Sequence, residues 1–571
     1  MALAALALTG CVDNDYDLSK DIDMNVQVGG DLTFPTSNTD KYTVAQIMDL
    51  DANSSIVPDG DAYGLSAGDY VLVQDGNATN STVSIPMQVV YDTQCSSTQN
   101  VVPVVNSNAV FTIADIENRF LLKDNNIDKS LRTISYANTD IDLNFNIQAT
   151  SSAIGTGTLT LKPGFCIAFP TGWTVAPGNA EAATYAKADG NKIVFTADKS
   201  LSINNNMTLP IKITGISLKN LAEGQGLYEP GKFRLEDKIV TGGPATFSSS
   251  AMTAGQSANM VMTLTPVIPS AKIFKVTGSV SPEVTIAESS FEISGTPDFL
   301  LDTENNLDIV NPQIQLTISN NSPVDFNISG CLTAYDDNNQ AHKVYVGKQY
   351  GTAAIVVNGN GTSNICLSRT GAGHMAGNVQ QIAVPQMAEL IECVPNRIVL
   401  SDVEVVANDQ EYTFNLGCNY NFDVKYKAVV PLAFGKDLKF VYSTEDNGWD
   451  EDLDKYSFNE AVITVDVENT IPLDMVPAVE ALNTNGNVIN DVTADVTGVV
   501  KAGTVGNKTN SQLTVTLRSD AQNIGNLDGI KFTFTATCPD QYVGVALNKD
   551  QEVRFTNIKV KLIGGVGVDL N

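Results

Sequence analysis

Ile314-Gln-Leu-Thr-Ile-Ser-Asn-Asn-Ser-Pro-Val-Asp-Phe326 and Ile463-Thr-Val-Asp-Val-Glu-Asn-Thr-Ile-Pro-Leu-Asp-Met475 are the stretches whose reading decides the fold. Each opens with apolar and polar residues in alternation. In an extended chain that pattern sends one set of side chains to a core and the other to water. Each then closes on Asn, a Pro, an apolar residue, Asp and another apolar residue. Asn turns a chain by hydrogen-bonding nearby backbone, and Pro ends ladder pairing. The second copy begins 149 residues after the first. A further match follows in the same order, Asp409-Gln-Glu-Tyr-Thr-Phe414 with Asp550-Gln-Glu-Val-Arg-Phe555, 141 residues apart. Two matches at nearly one spacing predict two related domains of about 145 residues. Their boundary is expected near Pro431–Lys436, before the strand Asp437-Leu-Lys-Phe-Val-Tyr442.

Working outward, the same alternation recurs at Ile141-Asp-Leu-Asn-Phe-Asn-Ile147, Leu513-Thr-Val-Thr-Leu517 and Ile530-Lys-Phe-Thr-Phe534. Turn clusters such as Asp336-Asp-Asn-Asn339 and Asn358-Gly-Asn-Gly361 separate the runs. Helical pattern is confined to Tyr42–Leu50 and Pro385–Cys393. The expected fold is therefore all-β: tandem antiparallel β-sandwich domains of immunoglobulin or fibronectin type, with very little helix. The divisions expected are a signal peptide at 1–10, an acidic tether and N-terminal segment at 11–100, and a sandwich at 101–270. Two sandwich repeats follow at 271–433 and 434–571. Ile141–Ile147 would open a third, more divergent copy that lacks the Asn…Pro-x-Asp ending. The strand-Asn-x-Pro pattern resembles the water-stress and late-embryogenesis-abundant sandwich domain, a resemblance confined to the quoted residues.

Composition narrows the function. The 571 residues carry 64 Asp and Glu against 34 Lys and Arg, a net charge of −30 and a pI near 4.3. No basic cluster offsets this, so nucleic acid is excluded as a partner, because phosphate binding needs Lys/Arg patches. Hydrophobic residues make up 43% of the chain, enough for real cores. Besides Cys11 there are seven cysteines, with no CxxC pair and no zinc spacing. Cys331 with Cys366, or Cys393 with Cys418, could pair in an oxidising compartment; small buried hydrophobes within strands are the alternative.

The N-terminal run Met1-Ala-Leu-Ala-Ala-Leu-Ala-Leu-Thr-Gly-Cys11 resembles the lipobox of bacterial lipoproteins at Leu8-Thr9-Gly10-Cys11. The resemblance implies cleavage before Cys11 and lipidation of that residue. No Lys or Arg precedes the apolar run, as a signal peptide normally requires, which points to a start assigned too far downstream or a trimmed sequence. Asp13, Asp15, Asp17, Asp21 and Asp23 follow, and this acidic run is similar to the export signals of Bacteroidota surface lipoproteins. A solvated, flexible tether is the plainer reading of the same residues. The Asp13-x-Asp15-x-Asp17 spacing also imitates a calcium loop. It fails, because Leu18 stands where Gly is required and Met24 where Glu is required. Beyond the N terminus no apolar run approaches the ~18 residues of a spanning helix. The membrane is thus expected as a partner through the lipid alone, on the bacterial outer membrane and at the cell surface, with the periplasmic face as the alternative.

Catalytic motifs are scarce. His342 sits in an alternating strand and His374 in Gly371-Ala-Gly-His-Met-Ala-Gly377, and these are the two histidines of the chain. There is no GxSxG, HExxH, P-loop or GxGxxG, so no enzyme is expected. The richest segment is Tyr442-Ser-Thr-Glu-Asp-Asn-Gly-Trp-Asp-Glu-Asp-Leu-Asp-Lys-Tyr456. Trp449, flanked by Tyr442 and Tyr456, could stack on a sugar, and Asp446, Asp450, Asp452 and Asp454 could supply oxygens to calcium. A solvated acidic loop is the plainer reading. Trp173, in Phe169-Pro-Thr-Gly-Trp-Thr-Val175, is either a binding tip or a core plug. The function expected is non-catalytic binding or assembly. Polysaccharide capture, as in the accessory lipoproteins of glycan-uptake systems, is one alternative, and a fimbrial or stalk subunit is the other.

Overall fold

The protein is described from a computed structural model, which covers residues 26–28, 32–35, 41–48, 50, 54–76, 79–105, 107–253, 255–292, 305–336, 339–391, 395–448, 456–457, 459–519, 524, 527–563 and 566–568. The alternating runs are strands, and the alternation is what buries them. In Tyr136–Thr150, Ile141, Leu143, Phe145 and Ile147 are fully buried while Asp142 and Asn144 between them are exposed. Each such apolar side chain contributes roughly 1.5–3 kcal/mol relative to leaving it in water. This strand lies between Asn206–Ser217 and Ser257–Val267, antiparallel to both. It forms the middle of one sheet of the first sandwich. The opposing sheet is built on the long pair Ser107–Asp124 and Lys232–Ser248. The chain is all-β, and among the described residues the strands pair antiparallel except Gly361–Ser368 with Val379–Ala383, which are parallel. The two helical expectations shrink to one or two turns. Val44–Ile47 is α-helix, fixed by a capping box between Thr43 and Gln46, and Pro385–Leu390 is 3₁₀.

The repeated stretches fold alike down to single hydrogen bonds. In the second sandwich Gln313–Asn320 is flanked by Gly361–Ser368 and Asn419–Pro431. In the third, Glu460–Asn469 is flanked by Thr509–Ser519 and Glu552–Ile563. Both central strands end on a fully buried asparagine. Asn320 Nδ2 donates to the carbonyls of Val324 (2.7 Å) and Asn358 (3.3 Å), and its Oδ1 accepts from Ser322 N at 3.0 Å. Asn469 Nδ2 donates to the carbonyls of Leu473 (3.4 Å) and Lys501 (2.9 Å), and its Oδ1 accepts from Ile471 N at 2.7 Å. The aspartate of the motif completes the corner. Asp325 Oδ1 accepts from Gly359 N and Asp474 Oδ1 from Ala502 N, each at 2.7 Å. The chain thereby crosses from one sheet to the other with its backbone groups satisfied inside the core.

The N-terminal segment is where expectation and structure part. From residue 26 to 105 the chain runs across all three sandwiches in reverse order and adds strands to each. Leu32–Pro35 and Lys41–Thr43 pair with Glu552–Ile563, the closing strand of the third sandwich. Val71–Asp75 and Thr79–Ser84 pair with Asn419–Pro431, which closes the second. Gln88–Val90 and Thr98–Val105 pair with Ala271–Ser279 and Ser257–Val267, which together close the first. All three closing strands therefore receive their partners from one strap, in the same antiparallel sense. Of the acidic tether and N-terminal segment expected at 11–100, residues 11–25 lie outside the described residues, and the part from Val26 on is corrected to strands, with Val71, Val83, Ile85 and Val90 fully buried core residues. The expected boundary at 270 also moves, because Ala271–Ser279 pairs with Tyr136–Asp140 of the first sandwich. The second sandwich gains its first strand only at Ser289–Glu292. The boundary at Pro431–Lys436 falls between the closing strand of the second sandwich and the strand Phe440–Asp446 of the third.

The sandwiches meet in sequence. The first joins the second by strand pairing of Ala271–Ser279 with Glu411–Asn415. The second joins the third at Tyr70 of the strap. Tyr70 N donates to Leu547 O (2.8 Å), Leu432 N donates to Tyr70 O (3.0 Å), and Leu547 N donates to Leu432 O (2.9 Å). Beside that junction the buried Asp308 accepts from Arg369 Nη1 at 2.9 Å and from Asp437 N at 3.1 Å.

Replacing Asn320 or Asn469 by Ala strands several buried backbone groups, so each change is expected to cost about 2–3 kcal/mol. Urea unfolding of the two variants checks this, and a shift below a few tenths of a kcal/mol in both would remove the corner from the account.

Candidate functional site

Of the residues singled out from sequence, Trp173, His342, His374 and Tyr442 are described, and they lie on separate elements. Cys11, Trp449, Asp450, Asp452 and Asp454 lie outside the described residues, as do the side chains of Asp446 and Tyr456. The strands flanking the acidic loop belong to different sheets. Phe440–Asp446 pairs with Gly529–Thr537, placing the half-buried Tyr442 opposite Phe534. Tyr456–Ser457 pairs instead with Val566–Val568, which also pairs with Val26–Val28. Before the loop Gly448 N donates to Asp528 Oδ1 at 3.2 Å, and after it Tyr456–Ser457 lies on the small sheet that joins Val26–Val28 to Val566–Val568.

Trp173 is corrected from binding residue to core plug. It is 4% exposed, with its ring 5.2 Å from Phe120 and stacked 6.1 Å from Phe169. The turn before it uses Gly172 in the left-handed region, and Trp173 N donates to Pro170 O, which drives the indole inward. A ring so covered presents no face to a sugar.

His374 lies on a loop that is pinned rather than free. Gln313 Oε1 accepts from His374 N at 3.0 Å, and Gln315 Nε2 donates to His374 O at 2.7 Å. Gln381 clasps Gly373 from the other side, donating to its carbonyl at 2.7 Å and accepting from its N–H at 3.1 Å. Gly373 packs so closely on Cys366 that a Cβ there would collide with the sulfur. The His374 ring rests on Gly64 of the strap. In this glycine-rich setting the backbone contacts of His374 fasten the strap's neighbourhood. His342 is half-buried on Ala341–Val346, opposite Ala334. Among the described residues no three His, Cys, Asp or Glu converge as metal ligands.

Among the described residues the cysteines are free thiols, buried at Cys331, Cys366 and Cys538 and partly buried at Cys95 and Cys166. Cys331 and Cys366, one of the expected pairs, are both free and buried, and burial pushes the Cys366 thiol up to about 11. Cys418 is free and exposed, and Cys393, with which it could have paired, lies outside the described residues. Small cavities open between the sheets of the second and third sandwiches at matching places, beside Ile314 and Ile318 in one and Ile463 and Val465 in the other. Their walls are almost wholly apolar, without the few convergent polar groups that orient a ligand.

Exposed apolar surface concentrates on the first sandwich, where Tyr91 is 74% exposed, Val110 64%, Val101 56% and Val105 46%. Val101, Pro103 and Val105 share the outer face of Thr98–Val105, an edge strand paired on one side alone among the described residues. Pro103 removes one ladder donor there, which blunts the edge as natural sheets commonly do. In the sequence Val101-Val-Pro-Val-Val105 has the composition of a core strand, which conceals this surface.

No known family and no curated protein matches the chain. Among solved structures it is similar to a putative secreted protein from Parabacteroides distasonis, at 20% identity and a TM-score of 0.35, over 51% of this chain and 83% of that one. It is also similar, at 8% identity and a TM-score of 0.11, to an archaeal virus chain from a study of a triple jelly-roll fold and turret assembly, over 83% of this chain and 91% of that one. Likeness at these levels carries no argument about function.

Because Trp173 fills a core, its change to Ala is expected to destabilise the protein by about 3–5 kcal/mol. Denaturant midpoints check this. An unchanged midpoint would return the indole to the surface and to the list of binding residues.

Proposed function

We propose that this chain is a lipid-anchored protein of the bacterial cell envelope, exposed at the cell surface, that acts by binding or assembly rather than by catalysis. The observation that carries the reading is Leu8-Thr9-Gly10-Cys11 followed by the run Asp13 to Asp23. The first resembles a lipidation site and the second an export signal. Several features support it. No helix of the described residues is long and apolar enough to cross a membrane, so the proposed lipid would supply the attachment. Several acyl chains hold a protein stably where a single chain holds it marginally. Three sandwiches joined in sequence by one strap make a spacer with little else built into it, which favours a presenting stalk. Glycan capture has less support, since one of the two tryptophans lies inside a core.

The test is a Cys11→Ser change in the full chain, produced in a Bacteroidota host. The unchanged protein is expected to partition into the detergent phase, to incorporate labelled palmitate and to be shaved from intact cells by protease. The variant is expected to lose the label and move to the aqueous phase. A Cys11→Ser protein that kept both would overturn the anchor, and full protection of the unchanged protein from protease would overturn surface display.

A further inference from the structure

We infer that the molecule stands on its third sandwich, with the pole carrying the Val26–Val28, Tyr456–Ser457 and Val566–Val568 sheet toward the lipid surface and the first sandwich pointing away. The inference rests on the Cys11 anchor proposed above and adds a direction to it.

The direction follows from register. Cys11 precedes Val26 by 15 residues, and Val26–Val28 pairs with Val566–Val568. The strap next pairs Leu32 with Leu562 and Thr43 with Glu552, so it crosses the third sandwich from its free end toward the end that meets the second. At that junction Val44 N donates to Gln551 O, and Tyr70 bridges Leu432 and Leu547. The strap then pairs Val71 with Pro431 and Ser84 with Asn419, crossing the second sandwich in the same sense. It finishes with Thr98 opposite Leu264 and Val105 opposite Ser257, at the far end of the first sandwich. The strap therefore runs from pole to pole, and the anchored residue hangs from one pole.

Reach decides the rest. Fifteen residues extend to at most about 50 Å. The closing strands of the three sandwiches, laid end to end at a strand's rise per residue, come to roughly 150 Å. The anchor can bring the pole at Val26 to a bilayer and leaves the pole at Val105 well beyond that reach. The exposed Val101 and Val105 are then carried on the sandwich held away from the membrane.

The experiment places a donor fluorophore, through an unnatural amino acid, either at Asn485, on the exposed Asn483–Asn487 turn of the free end of the third sandwich, or at Ala251, on the exposed turn beyond Ser248 of the first. In one arm the full chain from residue 12 carries an N-terminal hexahistidine in place of Cys11 and is captured on vesicles of phosphatidylcholine with nickel-chelating lipid and an acceptor-labelled lipid. In the other arm the natively produced protein, its lipid verified by mass, is reconstituted in the same vesicles without chelator. Energy transfer at Asn485 is expected to exceed that at Ala251 at least fivefold in both arms. Equal transfer, or stronger transfer at Ala251, would overturn the orientation. Absence of lipid in the native arm would overturn the anchor alone, because the chelator arm still reports which pole faces the bilayer.

Discussion

Backbone pairing between the strap at residues 26–105 and the three closing strands is the constraint on which the rest of the structure depends. Each closing strand has its central neighbour on one side: Gln313–Asn320 beside Asn419–Pro431, and Glu460–Asn469 beside Glu552–Ile563. Without the strap its other side would be an open row of N–H and C=O groups, the edge that sheet proteins must cover. The strap covers it and also adds apolar side chains to the interior, with Val71, Val83, Ile85 and Val90 fully buried. It is thus part of each core and at the same time the element that holds the cores in a row.

That arrangement sets the order in which the molecule can be completed. Leu32 pairs with Leu562 and Val26 with Val568, partners more than 500 residues away. Residues made first must wait for residues made last, and closing so long a loop costs entropy before the contacts compensate. The corners at Asn320 and Asn469 act on the opposite scale. Each organises a turn within a few residues and then reaches one strand further, to Asn358 or Lys501, so each sandwich can define its own sheet crossing before the strap is in place.

What was legible in the sequence follows the same division of scale. Alternation revealed Tyr136–Thr150 and Glu460–Asn469, whose burial keeps period two, and also Gln313–Asn320, where Gln313 and Gln315 are buried along with the apolar face. The Asn…Pro-x-Asp repeat revealed that the second and third sandwiches are copies, since their shared corner needs those residues at those places. The strap was hidden. Before Thr98 its strands are short and its composition polar and turn-rich, and what makes it structural is a partner hundreds of residues away. The boundary at 270 failed for a related reason: Pro266 and Pro269 punctuate a closing strand that continues on the same sheet as Ala271–Ser279. Of the candidate site, the burial of Trp173 was available as one of two readings. The acidic loop at 445–454 falls largely outside the described residues, and the exposed edge at Thr98–Val105 was masked by its resemblance to a core strand.

The strands described between residues 26 and 105 belong to all three sandwiches rather than to a tether. Native-state hydrogen exchange on the full chain tests it most directly. The strap amides that pair inward from Val71–Asp75, Thr79–Ser84 and Thr98–Val105 should exchange as slowly as those of the strands they cover, Asn419–Pro431 and Ser257–Val267. Exchange of those amides at the rate of an unstructured peptide, with the closing strands still protected, would contradict it.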